Sequence, residues 1–441
     1  MKYYSTNGQA SPASLEEAVI GGLAGDRGLY MPERIPALDP AVIRSLKDKS
    51  FHEIADLVAQ AFFGEDMERD ALTAIVQDAL SFDTPVVPVS DSVYSLELFH
   101  GPTLAFKDVG ARFMARMLGY FIRRRGIDRE VNVLVATSGD TGSAVANGFL
   151  GIPHIRVFVL YPAGKVSPIQ ECQFTTLGQN ITALEIDGTF DDCQALVKAA
   201  FADDDLNRHM QLTSANSINV ARFLPQSFYY FHAWAQLDRL GRAGNLTVCV
   251  PSGNFGNLTA GLFAQRMGLP VRHFIAANNR NDVFLEYLQT GLYTPRPSVE
   301  TLASAMDVGH PSNFARILDL YGHDHAVVRQ HISGCRYTDE QIAATVREVC
   351  HTHRYLLDPH GACGYQALVD RGLQPGETGL FLETAHPAKF KETVDRITGI
   401  PVEIPQKLRA FMQGKKQSVP LGKDFEGFKS YLSTLGLQTN K

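Results

Sequence analysis

The sequence predicts an α/β protein with mainly parallel sheets, on three observations. Short apolar runs rich in valine and isoleucine, such as Val131 to Ala136 and Leu246 to Val250, alternate with stretches of helical period. Two of these runs open directly into glycine-rich turns followed by helices, the order of strand, anion-binding turn and helix. The β-α order then repeats, which implies right-handed crossovers, helices on both faces and ligands at the carboxyl ends of strands. A chain of 441 residues has room for two or three domains. Its order divides into a mostly helical lead-in over 1–85, a smaller α/β domain over 86–245 and a larger one over 246–441.

In the lead-in, Ser14 and Glu17 have capping-box spacing ahead of Ala18, Val19, Ile20 and Leu23, with Gly25 as the stop. Amphipathic stretches follow from His52 to Phe63 and from Met67 to Leu80. The run Gly21 to Gly28 has no strand before it, so it reads as a loop after a helix rather than a phosphate loop. Val93 to Phe99 is strand-like and breaks at Gly101-Pro102. A helical pattern of Val109, Phe113, Met114, Met117, Leu118 and Phe121 then begins, and Lys107 falls at its start. A cation there opposes the helix dipole, and Phe99, Leu104 and Phe106 would desolvate it. Both effects favour the neutral amine, the form that condenses with an aldehyde. The other reading is a lysine that snorkels to water. Arg123-Arg124-Arg125 closes this helix, where cations suit the dipole, and reads as a solvated surface.

Val131 to Ala136 runs into Thr137-Ser138-Gly139-Asp140-Thr141-Gly142, with a helix from Ser143 to Leu150. A tight turn explains the glycines of this loop but not the hydroxyls beside them. Strands Ile155 to Leu160 and Ile181 to Ile186 alternate with helices from Pro168 to Leu177 and from a cap at Asp191 to Ala202. Asn216, Ser217 and Arg222 lie within one or two helical turns and could converge on a phosphate, the guanidinium as a bidentate clamp. A helix cap followed by a surface arginine explains that run equally well. Leu246 to Val250 leads into Gly253-Asn254-Phe255-Gly256-Asn257, which suits a phosphate monoester and matches neither dinucleotide nor nucleotide-triphosphate fingerprints. Val271 to Ala276 is a further strand, and Gly379 to Leu382 leads to Thr384. Lys389 and Lys391 read as solvated helix residues.

The run His100-Gly101-Pro102-Thr103-Leu104-Ala105-Phe106-Lys107-Asp108 resembles the cofactor-lysine motif of threonine synthases, members of the fold type II pyridoxal-phosphate enzymes. Three further stretches match that family in order, as far as about Lys391. The resemblance implies a tryptophan synthase β-like fold of two doubly wound domains with pyridoxal 5'-phosphate on Lys107. It implies that Gly253, Asn254, Phe255, Gly256 and Asn257 cradle the cofactor and that Thr384 contacts its pyridine nitrogen. Thr137, Ser138, Gly139, Thr141 and Gly142 would embrace the substrate carboxylate, and Asn216, Ser217 and Arg222 the leaving phosphate. Where related shorter enzymes have Asn, this chain has Asp140, which has no N–H to donate to the cofactor's ring oxygen. The implied reaction is β,γ-replacement on O-phospho-L-homoserine with water, giving L-threonine and phosphate. Ser304 to Gly309 resembles a family segment near the active site.

Composition sets the remaining limits. With 45% hydrophobic and 20% charged residues the chain is ordinary for a soluble protein. A net charge of −6 does not favour nucleic acid or an anionic membrane surface, so an anionic ligand must be held locally. The six cysteines show no Cys-x-x-Cys pairing, the chain opens without an apolar signal segment, and no apolar run is long enough to span a bilayer. A cytoplasmic location is expected. His323, His325, His331, His351 and His353 lack ligand spacing, and no metal is expected. Monomer and homodimer both stay open. The rival functions are a dehydratase-like relative and a non-catalytic phospho-ligand-binding protein.

Overall fold

The computed structural model describes residues 1–127 and 129–438. The lead-in opens with a sheet that the sequence does not predict. β1 (Lys2–Ser5), β2 (Ala13–Ser14) and β3 (Tyr30–Pro32) pair antiparallel in the order β2-β1-β3. Strands this short carry no readable alternation. The helix Leu15–Gly21 starts at the Ser14–Glu17 capping box as expected but stops at Gly22, whose φ of 76° turns the chain short of Gly25. Helices Phe51–Phe63 and Arg69–Ala79 follow where the apolar period places them.

β4 (Val86–Pro88) and β5 (Val93–Glu97) form an antiparallel pair. Then come β6 (Val131–Ala136), β7 (Ile155–Pro162), β8 (Ile181–Ile186) and β9 (Gln211–Ser214), separated by helices except for the bare turn between β4 and β5. β10 (Leu246–Pro251), β11 (Val271–Asn278), β12 (Ile332–Arg336), β13 (Thr378–Glu383) and β14 (Val419–Leu421) complete the set. They make a five-stranded sheet, β14-β8-β7-β6-β9, which is parallel throughout. A six-stranded sheet, β12-β11-β10-β13-β5-β4, is parallel except at its β4 edge.

Three strands, β4, β5 and β14, join the sheet that chain order does not suggest. β5, read with 86–245, pairs with β13 in register Glu383 to Glu97, and β14, read with 246–441, pairs with β8. The helix Phe190–Ala202 is capped by Thr189 in a capping box with Asp192, rather than by Asp191. The helix after β6 starts at Asp140, ahead of Ser143, because Gly139 with φ 143° makes the turn. The carboxyl ends of β6, β9, β10 and β13 meet between the two sheets, and the loops bearing Thr137, Asn216, Gly253 and Thr384 leave from them.

Candidate active site

Lys107 is the first residue of the helix Lys107–Arg125. The preceding turn is stitched to the end of β13. The Phe106 N–H donates to the Thr384 carbonyl at 2.8 Å, and Ala105 bridges to Ala385. Asp108 accepts from the N–H and hydroxyl of Thr103 at 2.9 and 2.6 Å, which holds the turn shut. The Lys107 Nζ lies 3.7 Å from Asp140 Oδ2 and 5.1 Å from the Phe106 ring centroid. Burial pulls its pKa down, Asp140 opposes this, and the cations Lys389 and Arg222 add to it. The sequence expectation of a desolvated lysine at a helix start therefore has its physical basis in burial.

Lys389 corrects the sequence reading. Instead of being solvated it is enclosed, donating from Nζ to Asp140 Oδ1 at 2.6 Å and to the Thr103 carbonyl at 2.8 Å. Burial alone would push the Asp140 carboxyl up. Lys389, Lys107 and the Gln170 amide, donating at 2.9 Å, instead hold it well below the usual carboxylate range. Lys391 is half-buried and donates to Asp395 at 2.6 Å and to the Val402 carbonyl at 2.9 Å.

One cavity is lined by Lys107, Thr137, Ser138, Asp140, Thr141, Asn216, Ser217, Arg222, the run Gly253 to Asn257, and Thr384. Gly139 and Gly142 stand outside it. A Cβ on Gly139 would meet the Gln170 amide at 2.6 Å, and one on Gly142 the Thr137 side chain at 2.5 Å. Both their N–H groups donate to Thr137 Oγ1, at 2.9 and 2.8 Å, so these glycines shape the loop rather than face a ligand. The buried Arg222 donates from Nε to the Ala215 carbonyl and from Nη1 to the Lys107 carbonyl, both at 2.8 Å. Three of its five N–H groups have no partner among the described residues, enough for an end-on fork. Burial lowers its pKa to about 10.

The loop after β10 fits a phosphate-bearing cofactor. Among the described residues, the amides of Gly253 to Asn257 donate to no backbone carbonyl outside regular elements, and they open the helix Gly256–Arg266. A Cβ on Gly253 would lie 2.8 Å from Met306 Cα and 3.0 Å from the Ala305 carbonyl, so the backbone itself forms the cradle wall. Asn257 accepts from the hydroxyls of Tyr229 and Tyr230 at 2.6 and 2.7 Å, and its buried Nδ2 has no partner among the described residues. An unpaired donor at a helix N-terminus suits an anion, and a desolvated amine in the same cavity suits an aldehyde.

Comparison with known proteins agrees with this geometry. The family described as "Pyridoxal-phosphate dependent enzyme" matches residues 81–384, "Threonine synthase N terminus" matches 2–80, and "Threonine synthase, C-terminal" matches 361–432. A threonine synthase of Serratia marcescens is 46% identical over 408 residues, covering 92% of this chain and 93% of that protein. The chain belongs to the threonine synthase family. It is therefore a pyridoxal-phosphate-dependent enzyme of fold type II. The crystal structure of threonine synthase from Escherichia coli superposes with a TM-score of 0.92 at 43% identity, covering 99% of this chain and 100% of that one. A structure of pyridoxal-phosphate-bound threonine synthase from Brucella melitensis gives 0.91 at 37% identity, covering 98% and 99%.

Within this family fold, several residues of the site have no signature in the sequence. Phe190 and Gln194, from the helix after β8, also line the cavity. The rule that ligands collect at strand carboxyl ends is the signal that points to them. Asn313 Nδ2 donates to Ser217 Oγ at 2.9 Å and to the Asn254 carbonyl at 3.0 Å, tying the two loops together. Arg316, fully buried, donates to the carbonyls of Tyr30, Ser217 and Ile218 and to Asn313 Oδ1, and burial lowers its pKa to about 9. His360 Nε2 accepts from the Ala305 N–H at 3.1 Å while Nδ1 donates to Asp358 at 2.7 Å, an assignment that the amide donor fixes. His360 thus anchors the Ser304–Met306 turn against Gly253, the placement expected of that segment.

Proposed function

We propose that this chain catalyses the threonine synthase reaction, converting O-phospho-L-homoserine and water into L-threonine and phosphate, with Lys107 as the cofactor lysine. The observation that carries the substrate is Arg222. A buried guanidinium with three N–H groups unpartnered among the described residues lines the same cavity as the desolvated lysine, and an anion is the partner that suits it. Asn216 and Ser217 beside it add neutral hydrogen-bonding groups. The Gly253–Asn257 loop takes a different anion, the cofactor phosphate, so the cavity accommodates two phosphates at once.

When bound, pyridoxal phosphate supplies an aldehyde that holds the amino acid and a ring that draws electron density from its α-carbon. Thr384 supplies a neutral hydroxyl beside that ring. Lys107 acts as the base: its Nζ, whose pKa burial lowers, takes the α-proton and then removes one proton from the β-carbon. Arg222, Asn216 and Ser217 stabilise the phosphate as the γ-carbon–oxygen bond breaks and charge gathers on it. A proton arrives at the γ-carbon, the oxygen of water bonds to the β-carbon while the proton it sheds goes to the departing phosphate, and a proton returns to the α-carbon, which balances the exchange. Ser138 and Thr141 orient the substrate carboxylate. No described helix is long and apolar enough to cross a membrane. The reading includes a cytoplasmic location and a small-molecule substrate.

A proton NMR time course with the cofactor and O-phospho-L-homoserine in deuterated buffer tests this. Threonine carrying deuterium at the α and γ positions is the expected product. Dominant 2-oxobutyrate would establish the dehydratase-like reading, and unchanged substrate on a cofactor-loaded protein would establish a binding protein.

A further inference from the structure

Three charged side chains share one enclosed space beside the cofactor lysine. Asp140, at the start of its helix, presents Oδ2 toward Lys107 Nζ at 3.7 Å and Oδ1 toward Lys389 Nζ at 2.6 Å. Lys389 also reaches the Thr103 carbonyl at 2.8 Å, to which Gln173 Nε2 donates at 3.1 Å. Thr103 is in turn tied to Asp108, in the first turn of the Lys107 helix. Lys389 is therefore a clip: one ammonium joins the turn that delivers Lys107 to the carboxylate that faces it. Gln170 Nε2 donates to the same Oδ1 at 2.9 Å, which leaves Oδ2 as the oxygen turned to Lys107.

We propose that Lys389 is a positioning residue: it holds Asp140 Oδ1 against the Lys107 turn and, as a cation on that carboxylate, limits how firmly Asp140 Oδ2 retains the proton on the Lys107 nitrogen when the cofactor is bound. This rests on the reading that Lys107 carries the cofactor. Burial disfavours a charge at both ends of the pair, so the clamp decides where the proton resides. The charged groups facing Lys107 are Asp140, Lys389, Arg222 and Asp358. Asp140 is the nearest anion among them, and Lys389 and Arg222 repel the proton.

The two members of the clamp should therefore have opposite effects. Asp140→Asn removes the close anion and lowers the pH at which the Lys107 nitrogen loses its proton. Lys389→Met removes a repelling cation and leaves Asp140 to Lys107 alone, which raises that pH. Each shift should be about one pH unit or more, as for an opposite or like charge within a few ångströms. Lys389→Arg keeps the charge and should titrate with the wild type.

A spectrophotometric pH titration of the bound cofactor in the four holoenzymes reads this directly, without turnover. Opposite shifts in Asp140→Asn and Lys389→Met bear the proposal out, and a merely structural role would not move the two in opposite directions. If wild type and Asp140→Asn hold the proton to the same pH, the proposal is overturned. Should Lys389→Met fail to retain cofactor, the comparison of Asp140→Asn and Lys389→Arg with wild type decides the matter alone. Borohydride reduction followed by peptide mapping tests the underlying reading separately: the label belongs on Lys107, and a label on Lys389 would remove that reading.

Discussion

The carboxyl of Glu383 is pushed toward its protonated form by where it stands. It is fully buried at the end of β13, with Oε1 accepting from the Asp358 N–H at 2.6 Å and Oε2 without a partner among the described residues. Burial, and then the charges of Asp358 and Glu97, push its pKa well above the ordinary glutamate value. In the unfolded chain the group ionises at that ordinary value. Above it the folded state binds a proton that the unfolded state does not, so stability falls as pH rises until the folded value is passed. Glu383→Gln keeps the shape and removes the ionisation. Above the ordinary glutamate value the wild type should lose stability as pH rises while the variant, which has no such ionisation, should not lose it by this route. Urea unfolding at a series of pH values above it measures this, and parallel stability curves would refute it. The sequence marks Glu383 only as the polar end of a strand. Its enclosure comes from Gly361, on a helix far away in the chain, where any Cβ would collide with the carboxyl. Lys389 was illegible for the same reason, since its partners Asp140 and Thr103 are distant in sequence.

At the scale of elements, local chemistry was readable and distant packing was not. The Ser14–Glu17 box, the helix that starts at Lys107 and the buried strands β6, β8 and β10 stand where period and caps put them, because each signal lies within a few residues. Close approach between helices leaves only a glycine as its trace. On the Lys107 helix, a Cβ at Gly110 would overlap the Arg222 carbonyl. That contact brings the Arg222 guanidinium to the Lys107 carbonyl. Gly110→Ala should push the Val220–Phe223 helix away from the lysine, destabilising the fold by about 1–3 kcal/mol through overpacking. The KM for the phosphate ester should rise more than cofactor affinity falls, because Arg222 serves the substrate and the Gly253 loop stays in place. Steady-state kinetics beside a cofactor titration separates the two, and a variant with unchanged KM would contradict this account of the helix pair.

For the whole molecule, the alternation of strands and helices identifies parallel α/β architecture but not which strand joins which sheet. Buried parallel strands look alike in sequence, and partner choice is fixed by tertiary packing. The consequence is greatest at the C-terminus, where the chain leaves the six-stranded sheet and returns to the smaller one. β14 adds to the edge of β8, and Phe428 and Leu432 are fully buried beside Leu196 and Val197. Lys429 reaches Asp203 at 2.9 Å, and Lys416 reaches Glu185 at 3.0 Å. The two buried side chains alone contribute about 3 to 6 kcal/mol, at roughly 1.5 to 3 kcal/mol each. That is a large share of the stability of a typical domain. A chain ending at Pro405 keeps every residue assigned to the cofactor and substrate, yet it strips the cover from this cluster and exposes the backbone edge of β8. It should unfold at a markedly lower temperature than the full chain, bind a hydrophobic dye in its folded state and aggregate on warming. Thermal unfolding of both chains with saturating cofactor is the test. A truncated chain that melted with the full-length one would mean that the returning segment is a passenger on the smaller sheet rather than part of its core.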